Sequence, residues 1–350
     1  MSSYPVIATF NGDKIPFEGH FTVAAAGLYT RMDALGRVFK SRTENFDLVI
    51  GMPQIDTSFD PIRVMPPVWE YGPPNPQERA YEEAQTVWGH AMEDAEIVYP
   101  ESARNQAIVY ECRFFTSLTA SNDEEYNIAA ERFLDELDSW WSRFTSWVGI
   151  VTSQDFVRLG SPGNGVRLRP VNSWTSGQNG FRSATERRSV WPQDRIAMKH
   201  LELEELEACV AATGRQLPPP AEWLFIRDAR SLLNASDNRR AVIDAGLAAE
   251  TAFSTIIDRY FVEKGISDER IERALKSSYS NLNGKKKLVT KLYPDLSIGQ
   301  VDELLIKPRN MSTHDTDPST FEQAAKAVEL ATEIVEIAHP LSELVPIQTR

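Results

Sequence analysis

Arg309, Asn310 and His314 are the residues whose types and spacing could carry out a reaction. They stand in the run from Lys307 to His314, Lys-Pro-Arg-Asn-Met-Ser-Thr-His. An arginine offers a planar, permanently charged fork that fits a phosphate. A histidine moves protons near neutral pH. Together they make a minimal kit for cleaving a phosphodiester without a metal. With five histidines in 350 residues, an Arg-x4-His spacing arises by chance roughly 0.4 times, and roughly 0.02 times with Asn after the arginine. The elements around the pair must therefore carry the argument.

The bulk properties bound those elements. A chain of 350 residues, 42% hydrophobic and 25% charged, is long enough for two cores of an ordinary globular protein. No apolar run approaches the ~18 residues of a membrane span. The start, Met-Ser-Ser-Tyr-Pro, has neither the basic nor the apolar region of a signal peptide. Cys112 and Cys209 lie far apart, without the spacing of a disulfide framework or a zinc site. These points together predict a cytoplasmic protein. A net charge of −13 argues against a general nucleic-acid coat. Locally, Lys276, Lys285, Lys286, Lys287 and Lys291 form a basic cluster, either a solvated helix face or a path for phosphates. His20, His90, His200 and His339 read as structural. There is no phosphate loop, nucleophile elbow or metal-spaced His/Asp set, so neither cofactor nor metal is expected.

The first part of the chain reads as strand and loop. Residues 4–10 and 15–23 flank Asn11-Gly12, a hairpin signal. Residues 46–52 make a short strand, and the proline-crowded stretch 61–76 reads as loop or sheet edge. In 107–119, Ile108, Tyr110, Cys112, Phe114 and Leu118 share one face, with Glu111 and Arg113 on the other. A capping box at Ser121 and Glu124 opens a helix with Ile128, Leu134, Leu137, Trp141, Phe144 and Val148 as its apolar stripe. Its Trp140, Trp141 and Trp147 either cover a sheet or line a small-molecule pocket. Residues 154–160 and 166–170 flank a Ser-Pro-Gly-Asn-Gly turn and predict a hairpin. The segment 172–193 reads mostly as loop, with Arg187 and Arg188 solvated.

A helix over 200–213 stops at Gly214, and Pro218, Pro219 and Pro220 mark a boundary. The predicted organisation is α+β: a strand-rich domain over 1–214, a proline linker over 215–221, and an all-α bundle over 222–350. Its helices are expected at 223–233 and 237–264, the latter with Glu250 at the edge of its alanine-rich stripe and Asp244 well off it. A third is capped by Ser267 and broken by Gly284, and a short one spans 298–306. The last is capped by Asp317 with Pro318 at its first position and ends at Pro340. The segment 307–314 is expected as a short polar connection between helices.

Residues 222–339 resemble a HEPN domain, the helical module of higher-eukaryote and prokaryote nucleotide-related proteins. Three features carry the likeness: the helix reading Arg-Arg-Ala-Val-Ile-Asp-Ala-Gly-Leu-Ala-Ala-Glu from Arg239 to Glu250, the Arg309-Asn310-x-x-x-His314 signature, and the closing alanine-rich helix. The resemblance implies a homodimer whose paired motifs form one cleft, and a metal-independent endoribonuclease. On that carry-over His314 exchanges protons, Arg309 binds the scissile phosphate and Asn310 orients one of them. Glu250 is the acidic partner, with Asp244 a weaker candidate. Lys285, Lys286, Lys287 and Lys291 would guide the RNA. Thr313 departs from the apolar residue often found before the histidine, and Asp315 and Asp317 set negative charge where a phosphate would come. The family suggests toxin-type growth arrest or phage defence, with the N-terminal domain sensing a small molecule or protein. The alternative is a non-catalytic dimerisation module attached to a binding domain.

Overall fold

Strand-forming residues dominate the first third of the chain and alanine-rich helical periodicity the last third. The computed structural model is accordingly α+β, strand-rich first and helical after. It describes residues 6–10, 13–17, 20–56, 63–66, 69–71, 87–91, 105–118, 123–159, 170–175, 182–183, 199–267, 269, 273, 276, 279–296, 298–314 and 319–347. The strands are β1 (Val6–Phe10), β2 (Asp13–Phe17), β3 (His20–Arg31), β4 (Val38–Arg42), β5 (Asp47–Gly51), β6 (Gln54–Asp56), β7 (Arg63–Met65), β8 (Trp69–Tyr71), β9 (Gly89–Ala91), β10 (Gln106–Thr116), β11 (Pro170–Thr175) and β12 (Arg182–Ser183). One sheet runs β2-β1-β8; the larger runs β12-β11-β3-β10-β9-β7-β6, with β5 also on β10 and β4 on β5. Among the described residues the strands pair antiparallel. β1 and β2 pair from Val6↔Phe17 to Phe10↔Asp13, the register the Asn11-Gly12 signal predicts; those two residues lie outside the described ones.

β10 keeps the alternation expected of it. Val109 stands opposite Leu28 and Glu111 opposite Ala25, so the extra residue of the register shift lies in β3, where Gly27 has a positive φ, and not in β10. Ile108 and Tyr110 are half-buried, Cys112 and Phe114 on the same face are in the core, and Val109 is buried on the other face. Burial, reinforced by the neighbouring Glu111 carboxylate, pushes the Cys112 thiol up to about 12, so it behaves as an apolar filler. Glu111 and Arg113 are buried as well, because this central strand is covered on both faces.

The long helix α1 (Asp123–Thr152) packs on this sheet. Leu137, Trp141, Phe144 and Val148 are buried as their spacing predicts, but Ile128 is exposed; the expected cap residue Ser121 lies outside the described residues. Trp140 stacks on Phe144 with ring centroids 5.2 Å apart, meets Phe114 edge-on, and donates its indole N–H to Ser41 Oγ at 3.0 Å. Trp140, Trp141 and Trp147 are all core residues, and the indoles cover the sheet rather than line an open pocket. Trp140→Ala is expected to lower stability by about 3–5 kcal/mol, measured by denaturant unfolding.

After α1 the described part of the first arm of the predicted hairpin is not a strand. Residues 154–159 are irregular, and Gln154 instead grips the main chain of Tyr29, accepting from its N–H at 2.9 Å and donating to its C=O at 2.7 Å. Residues 160–169 lie outside the described ones, while β11 and β12 replace part of the expected 172–193 loop; Arg187 and Arg188 are not described. α2 (Leu203–Gly214) begins three residues later than expected, with a capping box from Glu202 and Glu205. His200 stands before it, its ring between Gln106 Nε2 (3.0 Å) and Glu202 Oε1 (2.6 Å).

The helical half comprises α3 (Ala221–Asn234), α4 (Asn238–Glu263), α5 (Leu282–Leu292), α6 (Lys307–His314), α7 (Phe321–Ala338) and the short α8 (Leu341–Leu344). α4 is the central helix, buried along Ala241, Val242, Ala245, Ala248, Ala249, Ala252 and Phe253 against α3, α5, α6 and α7. Small residues allow that many close neighbours. One buried apolar cluster runs from the sheet through α1 and α3 into this bundle. Gly284 does not break a helix: Asn281 caps α5 by accepting the Gly284 N–H at 2.9 Å, and the glycine lies in its first turn. α7 is capped by Thr320 in a box with Gln323, not by Asp317, which lies outside the described residues together with Pro318. Of the helix expected after Ser267, only Glu269, Arg273 and Lys276 are described, all helical. Among the described residues, no helix is long and apolar enough to cross a membrane.

Candidate functional site: an arginine held in a helix notch

The segment 307–314 is helical, which corrects the expected connection. Proline at 308 has no N–H and its ring would crowd the carbonyl four residues back. The chain accommodates it with a π-helical turn, Asp302–Ile306, in which the Lys307 N–H reaches the carbonyl of Asp302. α6 then continues from Lys307 to His314 with Pro308 buried. Val301 is its first helical residue, so the helix expected over 298–306 starts later and runs straight into the motif.

Being helical changes what the motif spacing means. Positions 310 and 314 are four apart and fall on one helix face. Positions 309 and 314 are five apart and fall about 140° around the axis from each other. Arg309 therefore belongs to the face that packs on α4, and Asn310, exposed, to the face shared with position 314. The His314 side chain lies outside the described residues, as do Asp315 and Asp317.

Arg309 lies in a notch on α4. Gly246 forms its floor: a Cβ there would stand 2.4 Å from Arg309 Cδ and 2.9 Å from its Nε. Glu250, one turn further on, closes the end with Oε2 at 3.1 Å from Arg309 Nη2. Lys285 Nζ, from α5, approaches the other oxygen of Glu250 at 3.4 Å. The three side chains are 27%, 16% and 14% exposed for Arg309, Glu250 and Lys285, so the arginine side chain still meets solvent while its carboxylate partner is largely enclosed. α6 is clamped beside the notch. Arg239 Nε donates to the Ser312 carbonyl at 2.6 Å, a cation at a helix C-terminus. Asn238 Nδ2 donates to the Ser319 carbonyl at 3.1 Å, and the buried Ser312 and Ser319 hydroxyls meet at 2.9 Å.

The structure thus brings Arg309, Glu250 and Lys285 together and separates the other lysines. Lys286 pairs with Asp302 at 2.6 Å, while Lys287 and Lys291 are exposed on α5 and Lys276 on helical backbone. Asp244 belongs to a different environment. It faces the α3 side, where burial first, then Asp228 and Asp237, push its carboxyl up against the opposing pull of Arg240. A raised carboxyl value in the folded chain means its charge is a penalty at neutral pH that fades as the pH falls through that value. Asp244→Asn is therefore expected to raise the melting temperature at pH 7, by roughly 1–2 °C given its partial exposure, and to lose that gain on acidification. Thermal melts at several pH values check it.

Of the residues the sequence singles out, Arg309, Asn310, His314 and Glu250, the structure brings Arg309 and Glu250 together; the sequence reading gave no role to Gly246, Arg239 or the Ser312–Ser319 clasp. A glycine inside an alanine-rich helix, one turn before the expected acid, was the available signal, since it costs ~1 kcal/mol relative to alanine and marks a close approach. Compared with known protein families, curated proteins and solved structures, the chain matches none. The likeness to HEPN domains rests on the quoted residues alone.

Proposed function

We propose that the chain is a metal-independent endoribonuclease that works as a homodimer, with the motif of each protomer contributing to one cleft. The observation that carries the reading is the notch. An arginine whose stem lies on a glycine and whose head pairs with an enclosed glutamate is held in place yet still meets solvent, which suits a phosphate. In this reading the 2′-oxygen of the RNA attacks the adjacent phosphorus and the 5′-oxygen leaves. One His314 takes the 2′ proton and the partner's His314 returns a proton to the 5′-oxygen. Arg309 holds the phosphate through this exchange. Asn310, in helical register with position 314, sets the imidazole's orientation. Lys287 and Lys291, exposed on α5, lead the RNA backbone in. The strand-rich part serves as the sensor of a small molecule or protein, the protein acts in the cytoplasm, and its role is growth arrest or phage defence.

A second reading has an observation of its own. The ion pair of Arg309 with Glu250 is complete within one chain, as a structural clamp between α4 and α6 would be. On that reading the bundle is a non-catalytic dimerisation module. Cleavage of RNA in excess EDTA by the parent and by a His314→Ala variant separates the two.

A further inference from the structure

We propose that Lys285 is a positioning residue for Arg309, acting through Glu250, and that it keeps the notch net positive so that the arginine remains available to a phosphate. The inference rests on the ribonuclease reading and assigns Lys285 a place in the site other than contact with the RNA. Three observations carry it. Lys285 is only 14% exposed, so it is a poor surface guide, unlike Lys287 and Lys291. Its ammonium approaches Glu250 Oε1 while Arg309 approaches Oε2, so each oxygen of one carboxylate serves a different cation. It comes from α5, a third helix, so the notch is closed only when α4, α5 and α6 are packed together.

The charge balance gives the role. A carboxylate shared by two cations leaves the trio with a single positive charge. Without Lys285, Glu250 would neutralise Arg309 and could turn both oxygens to its fork, the bidentate pairing that competes directly with a phosphate. Lys285 holds one oxygen away and thereby fixes which edge of Arg309 faces out.

The test uses the full-length protein and a fluorescent 2′-O-methyl RNA, which binds but cannot be cleaved because its 2′-oxygen is blocked. Anisotropy is read in EDTA at low salt. Lys285→Met is expected to weaken binding about tenfold, because a pairing charge is lost in a partly enclosed site. Lys287→Met makes the same change of net charge on the same helix and is expected to weaken it by less than about threefold. Lys285→Arg retains binding. The double variant Glu250→Gln with Lys285→Met restores the single positive charge and recovers most of the affinity lost by Lys285→Met alone. Equal losses at 285 and 287, no loss at 285, or a double variant weaker than Lys285→Met would each overturn the proposal, as would a parent that does not bind. A parent that binds the methylated RNA but leaves the unmodified RNA intact removes the ribonuclease reading, and the same variants still decide the role of Lys285. Circular dichroism melts confirm that each variant is folded, and Lys285→Arg keeps the test decisive should Lys285→Met not be.

Discussion

Gly246→Ala is expected to lower RNA cleavage by at least about a hundredfold while leaving the protein as stable as the parent or slightly more so. Two opposed effects meet at this position. In the interior of α4, alanine is favoured over glycine by ~1 kcal/mol, because glycine loses more backbone freedom on folding. Against that, the added methyl would stand 2.4 Å from Arg309 Cδ and 3.1 Å from its Cγ, which no packed structure tolerates. What gives way is the arginine stem, a flexible chain reaching in from α6, and not the α4 backbone. The guanidinium then leaves Glu250, and a phosphate-binding group moved by about an ångström costs on the order of a hundredfold in rate. Activity and melting temperature are measured on the same preparation. Loss of both together would instead mean that Gly246 serves packing alone.

This outcome separates a functional notch from a structural one, and the sequence pointed only partway to it. The α+β organisation was legible, because strand alternation in 107–119 and alanine-rich periodicity in 237–264 are strong local signals. The long α4 appears within a residue or so of its expected ends, with Asp237 as its cap. Glu250 was legible as an acid at the edge of a buried stripe, and it does meet Arg309. What escaped was set by non-local geometry. The burial of Glu111 and Arg113 depends on cover over the second face of β10, which the alternation of that strand alone does not reveal. Pro308 suggested a helix end, because a proline interrupts the usual hydrogen-bond ladder; the π-helical turn before it keeps the helix going. Lys285 read as one of a surface run, since nothing local distinguishes it from Lys286 and Lys287; only the packing of α5 on α4 brings it to Glu250. Gly284 read as a breaker because its N–H partner, the Asn281 side chain, acts across the turn rather than along the apolar pattern.

The second large effect is expected at His314. In the proposed reaction this imidazole moves the protons, so His314→Ala is expected to lower cleavage by roughly a thousandfold or more, with little change in RNA affinity, because Arg309 and the lysines supply the binding. The substitution stands at the C-terminal end of α6, beyond the Arg239 clamp on the Ser312 carbonyl, so the helix and the notch are expected to persist. A variant that loses binding and cleavage in the same proportion would point to a structural role for that position.

The measurement that tests the central claim most directly is the cleavage of a labelled RNA in excess EDTA by the full-length parent and His314→Ala, with the product ends identified. Attack by the 2′-oxygen predicts a 2′,3′-cyclic phosphate on one fragment and a 5′-hydroxyl on the other, formed by the parent and not by the variant. RNA left intact by a folded, dimeric parent, or cut equally by both proteins, would contradict a nuclease built on Arg309 and His314.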